Sequence, residues 1–95
     1  MLPRLEALLR ASPKVASFYI VDNDPIDEAN FLFKLRCELR SGHTLQIRLH
    51  GVAGYVRYSY QEFGGGPLRR WDGRVVESTL RGDPVADLTQ VLDAL

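Results

Sequence analysis

The sequence predicts a single α+β domain of order α-β-β-β-β-β-α, in which a mainly antiparallel five-stranded meander sheet has both terminal helices packed on one face. Two observations predict this fold class. Apolar residues recur at helical spacing only near the two ends of the chain. Between them, apolar and polar residues alternate in short runs that glycine or proline separates. The 95 residues are enough for one modest core, so residues 1–95 are expected to form one domain.

Both helices are predicted from apolar spacing and from residues typical of helix boundaries. The first helix is expected to end near Ser12 and Pro13. The second begins with Asp83 as N-cap and Pro84 at the first helical position. The predicted apolar faces consist of Leu2, Leu5, Leu8 and Leu9 in the first helix and Val85, Leu88, Leu92 and Leu95 in the second.

Five strands are predicted between the helices. The first covers 15–21, where β-branched and aromatic residues are frequent, and an acidic loop follows over 22–29. The second covers 31–40, and its apolar face includes Cys37, which is expected to be an inert core thiol. The remaining strands are expected around 45–50, 55–60 and 68–76. The centre of the core is predicted to consist of Phe33, Leu35, Ile47, Tyr58 and Trp71.

The strand register follows from matching the apolar faces of neighbouring strands. A shift of the pairing by one residue would turn every side chain of a strand to the other face. The apolar faces of the second and third strands match only if the loop between them has an odd number of residues. With loops at 41–43, 51–54 and 63–66, the polar face carries one row of Arg36, Arg48, Arg57 and Asp72. A neighbouring row holds Lys34, His50 and Tyr55.

Three arginines in one row are unusual on a merely solvated face. Like charges directly opposite each other on adjacent strands destabilise a sheet, by up to about 1 kcal/mol per pair. A carboxylate such as Asp72, or a bound phosphate, would offset this repulsion. The sequence leaves open whether the face holds an anion or is simply solvated or covered by a partner.

Charge and composition exclude several classes of protein. The net charge is zero, but residues 31–74 carry a balance of +5 and the remainder −5, which points to an anionic partner on one surface. No apolar run is long enough for a membrane helix, so no membrane partner is expected. The N-terminus lacks the features of a signal peptide, and the single cysteine excludes an internal disulfide. The chain is therefore expected to be cytoplasmic, with no cofactor and no metal site.

Candidate site residues come from this predicted polar face. RNA cleavage by 2′-hydroxyl attack needs a base, a cation for the developing charge and an acid for the leaving group. His50 is the candidate acid or base, Arg48 or Arg57 the cation, and Tyr55 the second proton donor, without a metal. Further candidates for binding RNA or another anion are Lys34, Arg36, Arg70 and Asp72.

The second half of the chain contains three distinctive segments: YVRYSYQEFGGGPLRRWDG from Tyr55, VVES from Val75 and the closing ADLTQVLDAL. In these segments the chain resembles the TumE-like toxins of type II toxin–antitoxin systems. Tyr58 and Tyr60 correspond to the family's Tyr-x-Tyr, and Arg70, Trp71 and Asp72 to its Arg-(Tyr/Trp)-Asp motif. The N-terminal helix and the strand after it also fit, so the resemblance covers nearly the whole chain. It implies a toxin that acts on RNA or translation and that a helix-turn-helix antitoxin neutralises.

The chain departs from the family pattern after Asp72. Family members commonly continue into an Asn-Ala-Pro-His-His stretch, whereas this chain passes through Gly73 and Arg74 almost directly to VVES. The resemblance thus implies a compact variant, with altered activity or none if those histidines act in the relatives. Two alternatives to an RNA-directed toxin stay open. One is a non-catalytic interaction module whose basic face docks an acidic partner, and the other is a structural homo-oligomer.

Overall fold

A computed structural model describes residues 2–25, 30–52, 55–76 and 84–95, with the backbone alone for residues 25, 55 and 73–76. Helix α1 covers Leu2–Ala11, and α2 covers Pro84–Ala94. The strands between them are β1 (Val15–Pro25), β2 (Phe31–Leu39), β3 (Thr44–Val52), β4 (Tyr55–Phe63) and β5 (Pro67–Val76). The order α-β-β-β-β-β-α confirms the predicted fold class. Within these residues, no helix has the length and apolar composition needed to cross a membrane.

The five strands form one antiparallel meander in the order β1-β2-β3-β4-β5. Each strand therefore pairs with its neighbours in sequence, and β1 and β5 are the two edges. Side chains alternate between the faces, and β2 shows this clearly: Leu35, Cys37 and Leu39 are buried, whereas Arg36 and Glu38 are exposed. One face thus belongs to the core and the other is polar.

The core lies between the apolar sheet face and the two helices. Leu5 and Leu9 of α1 and Leu88, Val91 and Leu92 of α2 belong to the same buried cluster as the inward residues of the sheet. Three of the five residues predicted for its centre are buried: Leu35, Ile47 and Tyr58. Phe33 and Trp71 instead pack against this cluster while remaining partly exposed. The centre of the core is completed by Tyr60, Leu45 and Leu49, all of which are fully buried.

The predicted register is wrong by two residues in all three strand pairings for which it was made, β2–β3, β3–β4 and β4–β5. Arg48 lies opposite Lys34 on β2 and Ser59 on β4, and Arg57 lies opposite His50. Arg36 lies opposite Gln46, and Asp72 lies opposite Ser59 rather than Arg57. The predicted rows of Arg36, Arg48, Arg57 and Asp72 and of Lys34, His50 and Tyr55 therefore do not form. A shift of two residues keeps every side chain on its predicted face, so Arg48 and Arg57 still share the polar face.

Differences in the position or the length of the turns account for this shift. Only two residues connect β3 and β4, since Val52 pairs with Tyr55, where a four-residue loop was expected. Leu39 donates its backbone N–H to His43, so the preceding turn spans residues 40–42 instead of 41–43. Gly42 in this turn and Gly65 in the β4–β5 turn have φ values of 91° and 79°, which favour glycine. A bulge in β4 between Gln61 and Phe63 adjusts the last pairing.

The end of β1 and the buried face of α2 also differ from the predictions. Strand β1 continues to Pro25, through the start of the segment expected to be an acidic loop. The rest of that loop, residues 26–29, lies outside the described residues, as do Asp83, the predicted N-cap, and residues 77–78 of the VVES segment. In α2 the buried residues are Pro84, Leu88, Val91 and Leu92. Val85 and Leu95 of the predicted face are only partly buried.

Candidate anion-binding site

The polar face of the sheet contains an open cavity of about 420 Å³. We call this site the basic concavity and define it by six polar residues that line it: Arg48, His50, Arg57, Ser59, Arg70 and Asp72. It lies over the last three strands, β3, β4 and β5. Three of the four residues predicted to be catalytic and two of the four predicted to bind an anion thus line one cavity.

Two neighbouring rows of the sheet build this site. Arg48, Ser59 and Asp72 lie side by side on β3, β4 and β5, and His50 and Arg57 lie side by side in the next row. Directly opposed residues of antiparallel strands have Cα atoms about 4.5–5.5 Å apart, so side chains of these two rows reach a shared space above the sheet. The corrected register therefore brings Arg48 and Arg57 together as diagonal neighbours.

The cations on the β3 and β4 side of the concavity have no acidic partner in the part of the chain that the structure describes. Among the described residues, no carboxylate forms an ion pair with Arg48 or Arg57, and neither side chain donates a hydrogen bond. Lys34 adds a third positive charge beside Arg48 in its row. Such like-charge neighbours repel one another unless an anion lies between them. The geometry suits a phosphate, whose oxygens a planar guanidinium can bind with two parallel hydrogen bonds.

Asp72 has a different partner from the one the sequence predicts. Nε of Arg70, two residues before it on β5, lies 3.1 Å from both carboxylate oxygens of Asp72. Both side chains are more than half exposed, so water screens this pair. Asp72 therefore pairs with Arg70, and no described carboxylate compensates the charges of Arg48 and Arg57.

The remaining predicted site residues lie farther from the concavity or outside the described side chains. Lys34 borders it through its pairing with Arg48. Arg36 lies one row away, opposite Gln46, and does not line the concavity. The backbone of Tyr55 pairs with Val52, but its side chain lies outside the described residues. Ser59 lines the concavity and was not predicted, because a serine in an alternating strand gives no functional signal by itself.

A second group of charges lies on the opposite face, and we call it the Glu62 cluster. Glu62 is 5% exposed, and its two carboxylate oxygens are held by Nδ1 of His43 and Nε of Arg69, each at 2.9 Å. The hydrogen bond with His43 and the guanidinium of Arg69 lower the pKa of Glu62 below its ordinary value of 4.5, although burial alone would raise it. Arg69 also donates to the carbonyl of Ala94 near the end of α2.

The Glu62 cluster has the properties of a structural anchor. Arg69 packs over the ring of Trp71 and binds α2 through Ala94, so the cluster links three parts of the fold. Lys14 similarly donates to the carbonyl of Asp93, which places a second cation at the carboxyl end of α2. No local pattern in the sequence predicts this cluster, since His43 and Glu62 lie 19 residues apart in the chain.

The predicted core thiol can be compared with the structure. Cys37 is fully buried, and burial together with the nearby Glu38 raises the pKa of its thiol to about 12, as expected for an inert core thiol. Among the described residues, no three or more His, Cys, Asp or Glu side chains lie close enough to share a metal ion.

The basic concavity has the parts that anion binding requires: unpaired guanidinium groups, a hydroxyl group and a half-buried imidazole on a rigid sheet. The imidazole of His50 can exchange a proton with a ligand held by Arg57, its cross-strand neighbour. Comparison of the chain with protein-family models, curated proteins and solved structures found no match.

Proposed function

We propose that the basic concavity binds the phosphates of single-stranded RNA, and that the protein is the toxin of a type II toxin–antitoxin pair that acts on RNA or translation. The observation that carries the RNA-binding proposal is the pair Arg48 and Arg57, which line one cavity without an acidic partner among the described residues. The toxin proposal rests on the resemblance of the YSY, RWD and VVES segments to the TumE-like toxins.

A direct test is the binding of a labelled single-stranded RNA, measured by fluorescence anisotropy at 50 and 200 mM salt. Replacing both Arg48 and Arg57 with alanine should weaken binding at least tenfold. It should also reduce the slope of log K against log[salt] by about 1.4, since each phosphate contact to a single strand contributes about 0.7. Arg4→Ala/Arg40→Ala is the matched control, because it removes the same charge from exposed positions outside the concavity.

The control variant should retain the affinity and the salt slope of the wild type. Equal binding by the wild type and the Arg48→Ala/Arg57→Ala variant would place the RNA elsewhere and contradict the proposal. Neither arginine belongs to the core, so a loss of binding at an unchanged melting temperature cannot be attributed to unfolding.

Replacement of His50 separates binding from cleavage. His50→Gln should keep the salt-sensitive binding, because the guanidinium groups supply the charge. Any RNA cleavage by the wild type should be lost in this variant if the imidazole transfers the proton. Cleavage that survives in His50→Gln would remove His50 from the mechanism.

The toxin proposal is tested in cells. Expression without the antitoxin should slow growth, and Arg48→Ala/Arg57→Ala should relieve this effect, whereas the control pair should not. A neighbouring gene that encodes a small helix-turn-helix protein, and restores growth when co-expressed, would supply the expected antitoxin. Unimpaired growth on expression of the wild type would contradict the toxin proposal and leave the RNA-binding proposal to the anisotropy measurement.

A second candidate is a non-catalytic module whose basic face docks an acidic protein segment, including one from another copy of the chain. The observation that favours it is the edge strand β1, which exposes Asp22 and Asp24 next to the apolar Tyr19, Ile20 and Val21. Light scattering at low and high salt distinguishes this candidate. A dimer that dissociates in high salt and is absent in Arg48→Ala/Arg57→Ala would support it, and a monomer under all conditions would exclude self-association.

A further inference from the structure

A second cavity, of about 400 Å³, lies on the helix side of the edge strand β5. Aromatic side chains of the sheet, Tyr58, Tyr60 and Trp71, form one wall. Asp87, Gln90 and Val91 of α2 form the other. Its volume and its mixed aromatic and polar lining are those of sites that hold small planar ligands.

The carboxylate of Asp87 is the main hydrogen-bond acceptor of this cavity. The hydroxyl of Tyr58 donates to Oδ2 of Asp87 at 2.5 Å, and no other described residue donates to this half-buried carboxylate. A carboxylate offers about four lone-pair sites on its two oxygens, so Asp87 retains capacity for further donors. Asp72 also lines the cavity, but its carboxylate is already paired with Arg70. The remaining acceptor capacity of Asp87 therefore favours a ligand that brings N–H groups over a phosphate.

The cavity meets the basic concavity at strand β5. Tyr58 and Asp72 line both spaces. Trp71 and Asp72 are consecutive residues, so their side chains lie on opposite faces of the strand, one toward each space. Because β5 is an edge of the sheet, no further strand among the described residues separates the two faces on that side. A single-stranded RNA that passes around this edge can thus place a phosphate on one face of the sheet and a base on the other.

We propose that this cavity binds a guanine base of the RNA whose phosphates lie in the basic concavity. Trp71 provides a stacking surface, and Asp87 accepts hydrogen bonds from N1–H and the 2-amino group. Among the four RNA bases, guanine alone presents two adjacent N–H donors on its Watson–Crick edge, which match the two oxygens of one carboxylate. The placement of the phosphates rests on the proposed function, whereas recognition of the base rests on this cavity.

The first test compares guanosine with inosine, which differs only in lacking the 2-amino group. In oligouridylates that carry one central substitution, the guanosine RNA should bind the wild-type protein about tenfold more tightly than the inosine RNA. An adenosine RNA should bind no better than the inosine RNA. Equal binding of all three would overturn the guanine proposal and leave phosphate binding intact. The failure of every RNA to bind would contradict the proposed function instead.

The second test uses nucleosides without phosphate, so it is independent of the basic concavity. Trp71 is the only tryptophan of the chain, and its fluorescence reports directly on this cavity. Guanosine should change the emission of Trp71 at a concentration about tenfold lower than inosine does. An emission that responds equally to both nucleosides, or to neither, would overturn the proposal.

A matched pair of variants assigns the preference to Asp87. Asp87→Asn replaces the acceptor pair by one acceptor and one donor, so the preference for guanosine over inosine should disappear. Asp93→Asn removes the same charge from an exposed position of α2 that does not line the cavity, and it should retain the preference. A preference that persists in Asp87→Asn would overturn the role of this carboxylate. The wild-type comparison stands even if Asp87→Asn is unstable.

Discussion

The Glu62 cluster and the basic concavity use similar side chains in opposite ways. In the cluster, a carboxylate that is 5% exposed is matched by an imidazole and a guanidinium at 2.9 Å each. In the concavity, Arg48 and Arg57 have a lysine and a histidine as cross-strand neighbours, and no described carboxylate pairs with them.

The difference separates charges that hold the fold from charges that are available to a ligand. A buried carboxylate is tolerated only when its hydrogen bonds are satisfied, so the Glu62 cluster must stay intact for the fold to be stable. Exposed guanidinium groups cost little solvation energy, and their mutual repulsion decreases when an anion binds. The two regions should therefore respond in opposite directions to the removal of a charge.

The largest effect is expected from Glu62→Ala. Loss of the carboxylate leaves His43 and Arg69 without their shared acceptor and opens space beside the core, so the free energy of unfolding should fall by about 1–3 kcal/mol. Urea denaturation measures this change. Asp72→Ala is the control, because its carboxylate is 63% exposed and its removal should change stability by less than about 0.5 kcal/mol. Equal losses of unfolding free energy in both variants would contradict the distinction between the Glu62 cluster and the basic concavity.

Acid should weaken the Glu62 cluster selectively. The folded pKa of Glu62 lies below 4.5, its ordinary value, so protons bind the unfolded state more readily than the folded state. The stabilisation is fully present above that value and disappears as the pH falls through the lowered folded pKa. The difference in unfolding free energy between the wild type and Glu62→Gln should therefore shrink between pH 6 and pH 3. A difference that is constant over this range would contradict the pKa direction.

A smaller change of opposite sign is expected from Arg48→Ala. This substitution relieves the repulsion between Arg48 and Lys34 and should leave stability unchanged or raise it by up to about 1 kcal/mol. Arg36→Ala is the matched control, since Arg36 lies opposite the neutral Gln46 and its removal relieves no like-charge pair on β3. A loss of more than 1 kcal/mol in Arg48→Ala alone would show that this arginine has a structural role.

The smallest effect is expected at Cys37 when the concavity is altered. The thiol is fully buried and its pKa is raised to about 12, so a thiol reagent should modify it only through unfolding. The rate of modification in Arg48→Ala/Arg57→Ala should not exceed that of the wild type. It should increase in Glu62→Ala in proportion to the loss of stability. Faster modification in the double arginine variant would mean that the polar face supports the core.

The fold was predictable because its signals are local and periodic. Alternation in β2 and β3 defines the two faces of the sheet, and matching of apolar faces determines whether each loop has an odd or an even number of residues. This constraint does not distinguish a register from one shifted by two residues. The choice depends on turn length, as in the connection between Val52 and Tyr55, which is two residues shorter than expected. Arg48 and Arg57 were therefore assigned to the correct face but to the wrong row.

The sequence predicts which residues of the candidate site lie on the polar face of the sheet. It does not predict which side chains contact one another. Arg48, His50 and Arg57 follow from alternation alone. The partner of Asp72 was missed because strand register cannot show that Arg70, two residues earlier on the same strand, reaches both carboxylate oxygens. The contact of Asp87 with Tyr58 joins a helix to a strand 29 residues away, and no periodicity in the sequence reports it.

The meander order also has a consequence for how the chain folds. Every strand pairing joins neighbours in sequence, so each hairpin closes a short loop at a small entropic cost, and the sheet can grow one strand at a time. The packing of α1 against α2 instead joins the two ends of the described chain. We expect the hairpins to be formed in the folding transition state and the contact between the helices to form later. Substitutions in the β3–β4 hairpin should then slow folding, whereas substitutions between the helices should mainly accelerate unfolding.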